Sequence, residues 1–350
     1  MDDASVPDNP VSGEEHTHEP HRLYVELPTA ERGVYWRELQ PDDLHALSNL
    51  IARIEARDNP PYRTSCEEVE EMLSQASDWF GIAAFASRGM ARGEMVAFMQ
   101  MVVRHTGTIE CLCQGGVDPR FRRIGLGGAL VQWQTDAARN VHQLLPVEGQ
   151  SGRVVTNVDP GNEELEDHLK RLGYHWSRTY YELRAELHDL PATPDLGSYL
   201  RIEEWGPQWE DPTRRAANRL NEQEWGRPLT EEQWLMGRTA FVPEWSFVAV
   251  DYRGDRPKVA GFLLASRYEQ DWAALGWKEG YIDQMGVLAD WRHAAVVDAL
   301  IIATMHAQRR DGMERVGTGL GSGNQSSALA VYESLGFRVV GQTRLYALDI

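Results

Sequence analysis

A chain of 350 residues fits two domains of ordinary size, each long enough to bury its own core. Its 53 Asp and Glu against 35 Lys and Arg leave a formal net charge of −18, which argues against nucleic-acid binding and suits a cationic amine substrate, although acidity also serves solubility. No apolar run is long enough to span a membrane, the first residues lack a basic-then-apolar signal pattern, and only Cys66, Cys111 and Cys113 occur, so the expectation is a cytoplasmic protein with reduced thiols.

Residues 1–30 are acidic, Pro-bearing and poor in large apolar side chains, the composition of a flexible tail; His16, His18 and His21 there are scattered and imply no metal. Alternation and helical spacing then predict a strand at Val34 to Leu39, a helix carrying Leu44, Leu47, Leu50, Ile51 and Ile54, and a second helix at Glu67 to Gln75. Strands follow at Trp79 to Ala86, Glu94 to Arg104 and Thr108 to Val117. On the last of these Cys111 and Cys113 point to one face with no partner pair elsewhere, so they read as structural thiols.

The stretch Val117 to Asn140, VDPRFRRIGLGGALVQWQTDAARN, joins a strand to an amphipathic helix through Arg122-Arg123-Ile124-Gly125-Leu126-Gly127-Gly128. Glycines let backbone N–H groups approach a ligand closely, and the helix aims its positive end at the same spot, a geometry that holds phosphate. A strand at Arg153 to Val158, a helix at Glu163 to Leu172 and strand material at Trp176 to Leu187 complete a unit over 31–188. The Pro-rich segment 189–197 reads as a linker, and 198–350 repeats the same order of elements.

That repeat is visible in the letters. Gly286-Val287 with LADWRHAAVVDALII matches Gly116-Val117 with DPRFRRIGLGGALVQ at an offset of 170. RVVTNVDPGN (Arg153 to Asn162) parallels RVGTGLGSGN (Arg315 to Asn324), and LKRLGY (Leu169 to Tyr174) parallels YESLGF (Tyr332 to Phe337).

These blocks resemble the GNAT superfamily of acyl-CoA-dependent acetyltransferases, in the doubled arrangement of tandem GNAT proteins. The resemblance implies an α/β fold of two consecutive GNAT-like domains, each a twisted mixed sheet flanked by helices. It implies acetyl-CoA as co-substrate with no metal, transfer of acetyl to a primary amine of a small molecule, and a first-half pyrophosphate site at Val117, Arg122, Arg123, Ile124, Gly125, Leu126, Gly127 and Gly128, with Asn162 and Asn324 at matching places after the next strands.

The second half departs from the pattern at its turn: Ala295 and Val297 stand where Gly125 and Gly127 stand in the first. From Ala328 to Phe337 it keeps the family's A-x-x-x-Y-x-x-x-G-F, with Asn324 one residue further upstream than the family's N-x-x-A, and in this pattern Tyr332 would protonate the departing thiolate. The first half places Leu169 or Lys170 there, with His168 adjacent. The constant offset pairs Asp283 with Cys113; Asp283, or Glu279 on the same face, is the candidate base, and either is equally a solvated or salt-bridged strand carboxylate. Three readings follow: catalysis in the second half with acetyl-CoA held in the first, catalysis in the first half alone, or an inactive acetyl-CoA-binding sensor. Monomer and homodimer both remain open.

Overall fold

The structure is a computed structural model that describes residues 25–30, 33–74, 79–105, 108–144, 151–225, 228–292, 295–321 and 325–350. Most of the expected tail, with its three histidines, and Asn324 lie outside the described residues. The first half runs β1 (Val34–Glu38), α1 (Leu44–Asp58), α2 (Cys66–Ser74), β2 (Trp79–Ala86), β3 (Met95–His105), β4 (Ile109–Val117), α3 (Leu126–Leu144), β5 (Gly152–Val158), α4 (Glu163–Arg171) and β6 (His175–Glu186). The second runs β7 (Leu200–Glu204), α5 (Glu210–Trp225), α6 (Glu231–Leu235), β8 (Phe247–Asp251), β9 (Lys258–Ser266), α7 (Trp272–Leu275), β10 (Glu279–Val287), α8 (Val296–Arg310), β11 (Arg315–Gly321), α9 (Gln325–Ser334) and β12 (Arg338–Asp349).

All twelve strands join one sheet, in the order β1-β2-β3-β4-β5-β12-β6-β11-β10-β9-β8-β7. The sequence places β6 at the end of the first unit, but the two closing strands are exchanged. β12 pairs antiparallel with β5, from Arg344 against Val158 to Asp349 against Arg153, while β6 pairs antiparallel with β11. The cores follow the exchange: Tyr346 packs with Met101, Val154 and Leu169, and Leu183, Ala185 and Leu187 pack with Leu263, Ile282 and Val316. The segment boundary near 190 is therefore a boundary of sequence, while each packed unit borrows its sixth strand from the other segment.

Internal correspondences can be read atom by atom. A Cβ on Gly116 would meet Ile54 and Phe98, and one on Gly286 would meet Leu220 and Phe262, so α1 and α5, and β3 and β9, occupy equivalent places. The chain turns Leu172-Gly173-Tyr174 and Leu335-Gly336-Phe337 close by the same bonds: Tyr174 N donates to Leu169 O, and Phe337 N donates to Tyr332 O. Leu169, fully buried, is thus the counterpart of Tyr332, which settles the one-residue ambiguity of the sequence.

A second register is corrected. β10 pairs with β9 through a bulge between Ile282 and Gln284, whereas β4 pairs with β3 without interruption. Ile282 is the partner of Thr318 as Cys113 is of Thr156. The offset is therefore 169 up to Ile282 and 170 from Gln284, so Glu279 matches Glu110, and Asp283 is an inserted residue with no first-half equivalent.

At the foot of the first turn, buried Asp118 accepts from Arg53 Nε (2.7 Å) and from Arg120 Nε (3.0 Å), and Arg120 also reaches Glu94 (2.6 Å). Burial alone would raise the Asp118 carboxyl; the bonds from Arg120 and Arg53 outweigh it and hold it down to about 2. A carboxyl lowered by folding adds stability that is present above its unfolded value, about 4, and is lost as pH falls through 2. Asp118→Ala is expected to cost about 2 kcal/mol at pH 7, since Arg53 keeps partial solvent contact, and the loss should vanish in denaturant titrations near pH 2.

Candidate functional site

Two openings in the sheet define the candidate sites, because parallel pairing stops early in both halves. β4 and β5 pair only as far as Cys113 and Thr156, leaving Gln114 to Val117 without a strand on that edge. β10 and β11 stop at Ile282 and Thr318. Thr156 Oγ1 donates to Cys113 O and Thr318 Oγ1 to Ile282 O, both at 3.1 Å, fastening each ladder at its last pair.

The first opening leads to the glycine turn. Arg123 and Gly125 both take left-handed backbone, at φ 62° and 89°, which directs the chain into α3. Gly127 has open space where a Cβ would project, and the first amides of α3, which a helix leaves without an intrahelical acceptor, lie at that end, so the residues present fit a pyrophosphate. Arg122 is a brace: its Nε donates to Val117 O (3.1 Å) and its two Nη groups grip Asp58 (2.7 Å each). Arg123 pairs with Glu164 (2.9 Å) at the surface, Ile124 is exposed, and Leu126 is buried in the core. Gly128 faces His168, whose buried Nε2 has no hydrogen-bond partner among the described residues. Asn162 caps α4, its side chain accepting from Leu165 N (3.4 Å).

At the second turn Arg292 repeats the brace, donating from Nε to Val287 O (3.3 Å). Ala295 caps α8 at φ −56°, so the left-handed step is missing there, and Val297 brings a β-branched side chain to the position of Gly127.

The second opening is flanked by acidic and aromatic side chains, among them Asp283 and Glu279, which the sequence had offered as candidates. β11 carries Gly317 and Gly319, and side chains of β10 lie across them: a Cβ on Gly317 would strike Glu279 and Tyr281. Glu279, nearly fully buried, thereby reaches Arg184 of the exchanged strand (2.7 Å) and accepts from Trp277 Nε1 (2.9 Å). Tyr281 donates to Glu182 on that strand (3.1 Å). Asp283 accepts from Tyr268 (3.0 Å) and from Ser266 Oγ, and Tyr268 meets Tyr281 edge to face. The first half closes the rim, with Arg63 N donating to Asp271 (2.6 Å) and Gln270 to Glu68 (3.2 Å).

Asp283 is exposed at this opening, and the side chains of Ser266 and Tyr268 packed against it remove part of its hydration. That desolvation pushes its carboxyl up to about 6, against the pull of Ser266 and Tyr268. Desolvation likewise lifts Asp271 to about 6 and Glu182 to about 7, each aided by neighbouring carboxylates. Tyr332 is buried beneath the opening against Phe337, its hydroxyl meeting Thr318, and burial raises it further into the protonated range. The glycines of RVGTGLG were the available signal for Glu182 and Arg184; their pairing with β6 was not legible, because strand exchange leaves no local mark.

Among the described residues no group of three or more His, Cys, Asp or Glu is placed to hold a metal, and no helix is long and apolar enough to cross a membrane. No protein-family profile and no curated protein matches the chain. Solved structures do. A GCN5-related N-acetyltransferase from Sphaerobacter thermophilus superposes with a TM-score of 0.68 at 23% identity, over 92% of this chain and 97% of that one. A tandem GNAT protein from the clavulanic acid biosynthesis pathway gives 0.62 at 16% identity over 90% and 98%. N-myristoyltransferase of Saccharomyces cerevisiae, with bound myristoyl-CoA, gives 0.61 at 14% over 99% and 85%. The fold is thus that of the GCN5-related N-acetyltransferases, laid down twice in one sheet.

Proposed function

We propose that the protein transfers an acetyl group from acetyl-CoA to a primary amine of a small cationic molecule, in the cleft against β10, and that the first-half turn holds an acetyl-CoA of its own. The carrying observation is the bulge that presents Asp283, absent from the first half, at the opening of β10 and β11. From β4 to β10 is five strand spacings, about 24 Å along the sheet, so one bound acetyl-CoA cannot serve both openings.

Acetyl-CoA supplies the thioester; the chain's own groups do the rest. Asp271, Glu68 and Asp283 draw the ammonium into the cleft, and Asp283, ionised at pH 7, takes its proton. The nitrogen attacks the thioester carbonyl, the C–S bond breaks, and the Tyr332 hydroxyl gives a proton to the sulfur. Glu279, locked by Arg184 and Trp277, holds the exchanged strand in place and takes no part in proton transfer.

The test is release of CoA thiol over a panel of small amines between pH 5 and 8. Turnover should favour amines with two or more positive charges and rise with pH through about 6, the protonated Asp283 being inactive. Asp283→Asn should lower kcat by about 10²-fold or more and remove that limb, and Tyr332→Phe should also lower kcat. Full activity of Asp283→Asn would overturn the assignment. A second reading, an acetyl-CoA-binding sensor without turnover, is favoured by Val297 at the second turn; it would show as acetyl-CoA binding with no thiol released for any amine.

A further inference from the structure

The first half closes the ground between α1 and the foot of its turn with a neutral quartet, Arg53, Asp118, Arg120 and Glu94. The correspondences above place Arg219, Leu288, Asp290 and Lys258 at the same four positions. Leu288 N donates to Ala260 O as Asp118 N donates to Val96 O, so the backbone is the same and only the charges differ. With leucine in place of the central carboxylate, Arg219 has no salt-bridge partner among the described residues, and the quartet becomes net positive.

A cavity of about 610 Å³ opens there between α5, the start of β9 and residues 288–292. Among the described residues four basic side chains line it, Arg215, Arg219, Lys258 and Arg292, against one carboxylate, Asp290. Among the described residues Arg219, Lys258 and Arg292 have no salt-bridge partner, while Arg215 is held by Asp211. Among the described residues Arg292 makes one side-chain hydrogen bond, from Nε to Val287 O. Three cations without a salt-bridge partner among the described residues, beside a single lining carboxylate, leave the cavity with an excess of positive charge in a protein of net charge −18, which favours an anion there. Pro212, Pro257, Leu288 and Trp291 supply an apolar wall beside them.

We infer that this cavity is a binding site for a phosphate-bearing small molecule, on the β9 side of the second turn and away from the opening between β10 and β11. Arginine forks and a lysine grip phosphate oxygens, and the apolar wall takes the group that carries them.

The full-length protein, saturated with acetyl-CoA so that both openings are filled, is titrated by calorimetry with inorganic pyrophosphate and, separately, with ADP. Pyrophosphate should bind, and the joint change Arg219→Ala with Lys258→Ala should weaken it at least tenfold. Leu288→Asp, which restores the carboxylate that Asp118 provides in the first half, should close the site with a similar loss while leaving the melting temperature at or above that of the wild type. ADP binding tenfold tighter than pyrophosphate would assign a nucleotide, and equal affinities a phosphate on any carrier; both support the site. No heat with either probe, competition by acetyl-CoA, or affinity indifferent to Arg219 and Leu288 would overturn it. None of these readouts depends on acetyl transfer.

Discussion

Deleting residues 338–350 is expected to unfold the half of the molecule farthest from them in sequence. β12 lies between β5 and β6, hydrogen-bonded on both edges, and its Tyr346 is buried in the core that α3 and β4 share. Its loss bares the inner edge of β5, opens a gap in mid-sheet and removes several kcal/mol of buried apolar contact, as much as a domain usually has to spare. By the same logic residues 25–188 alone lack β12, the strand that pairs with β5, and should not fold as they do in the full chain, although they contain six strands of their own. Near-ultraviolet circular dichroism and denaturant titration would show both losses, and a synthetic peptide of residues 338–350 should restore cooperative unfolding to the truncated chain. A truncated chain that unfolds cooperatively at the wild-type midpoint would show that the strand is dispensable.

The same exchange marks the limit of what the sequence disclosed. The elements themselves were legible: the helix of Leu47, Leu50 and Ile51, the strands, the glycine turn and the second copy all stand where periodicity and repetition put them, because those patterns are local. Asp283 was legible as a carboxylate on the right strand, but its register was not, since one inserted residue shifts the offset without changing composition. Glu182 and Arg184 were invisible as site residues, because β6 follows α4 in the chain exactly as an ordinary closing strand would. Only the partner of β6 differs, and pairing between segments more than a hundred residues apart is decided by tertiary packing.

Acetyl-CoA is expected to stabilise the protein, and Gly125→Val to remove the first-half share of that effect. At a ligand concentration of about 100 times Kd, one site binding only the folded state contributes about 2.7 kcal/mol. Gly125 sits at φ 89°, where a β-branched residue costs about 1–3 kcal/mol of strain, so valine there relieves itself by rotating the turn away from α3. The amides at Leu126, Gly127 and Gly128 then no longer converge, and the anion site dissolves although no side chain that touches the ligand has changed. The mirror change, Ala295→Gly, should do far less, since Val297 still occupies the place that Gly127 leaves open. Calorimetry reads the difference as a count: two acetyl-CoA per chain in the wild type, one in Gly125→Val, two in Ala295→Gly. A thermal shift that survives Gly125→Val unchanged would mean that the turn, for all its resemblance to a phosphate cradle, holds only the chain.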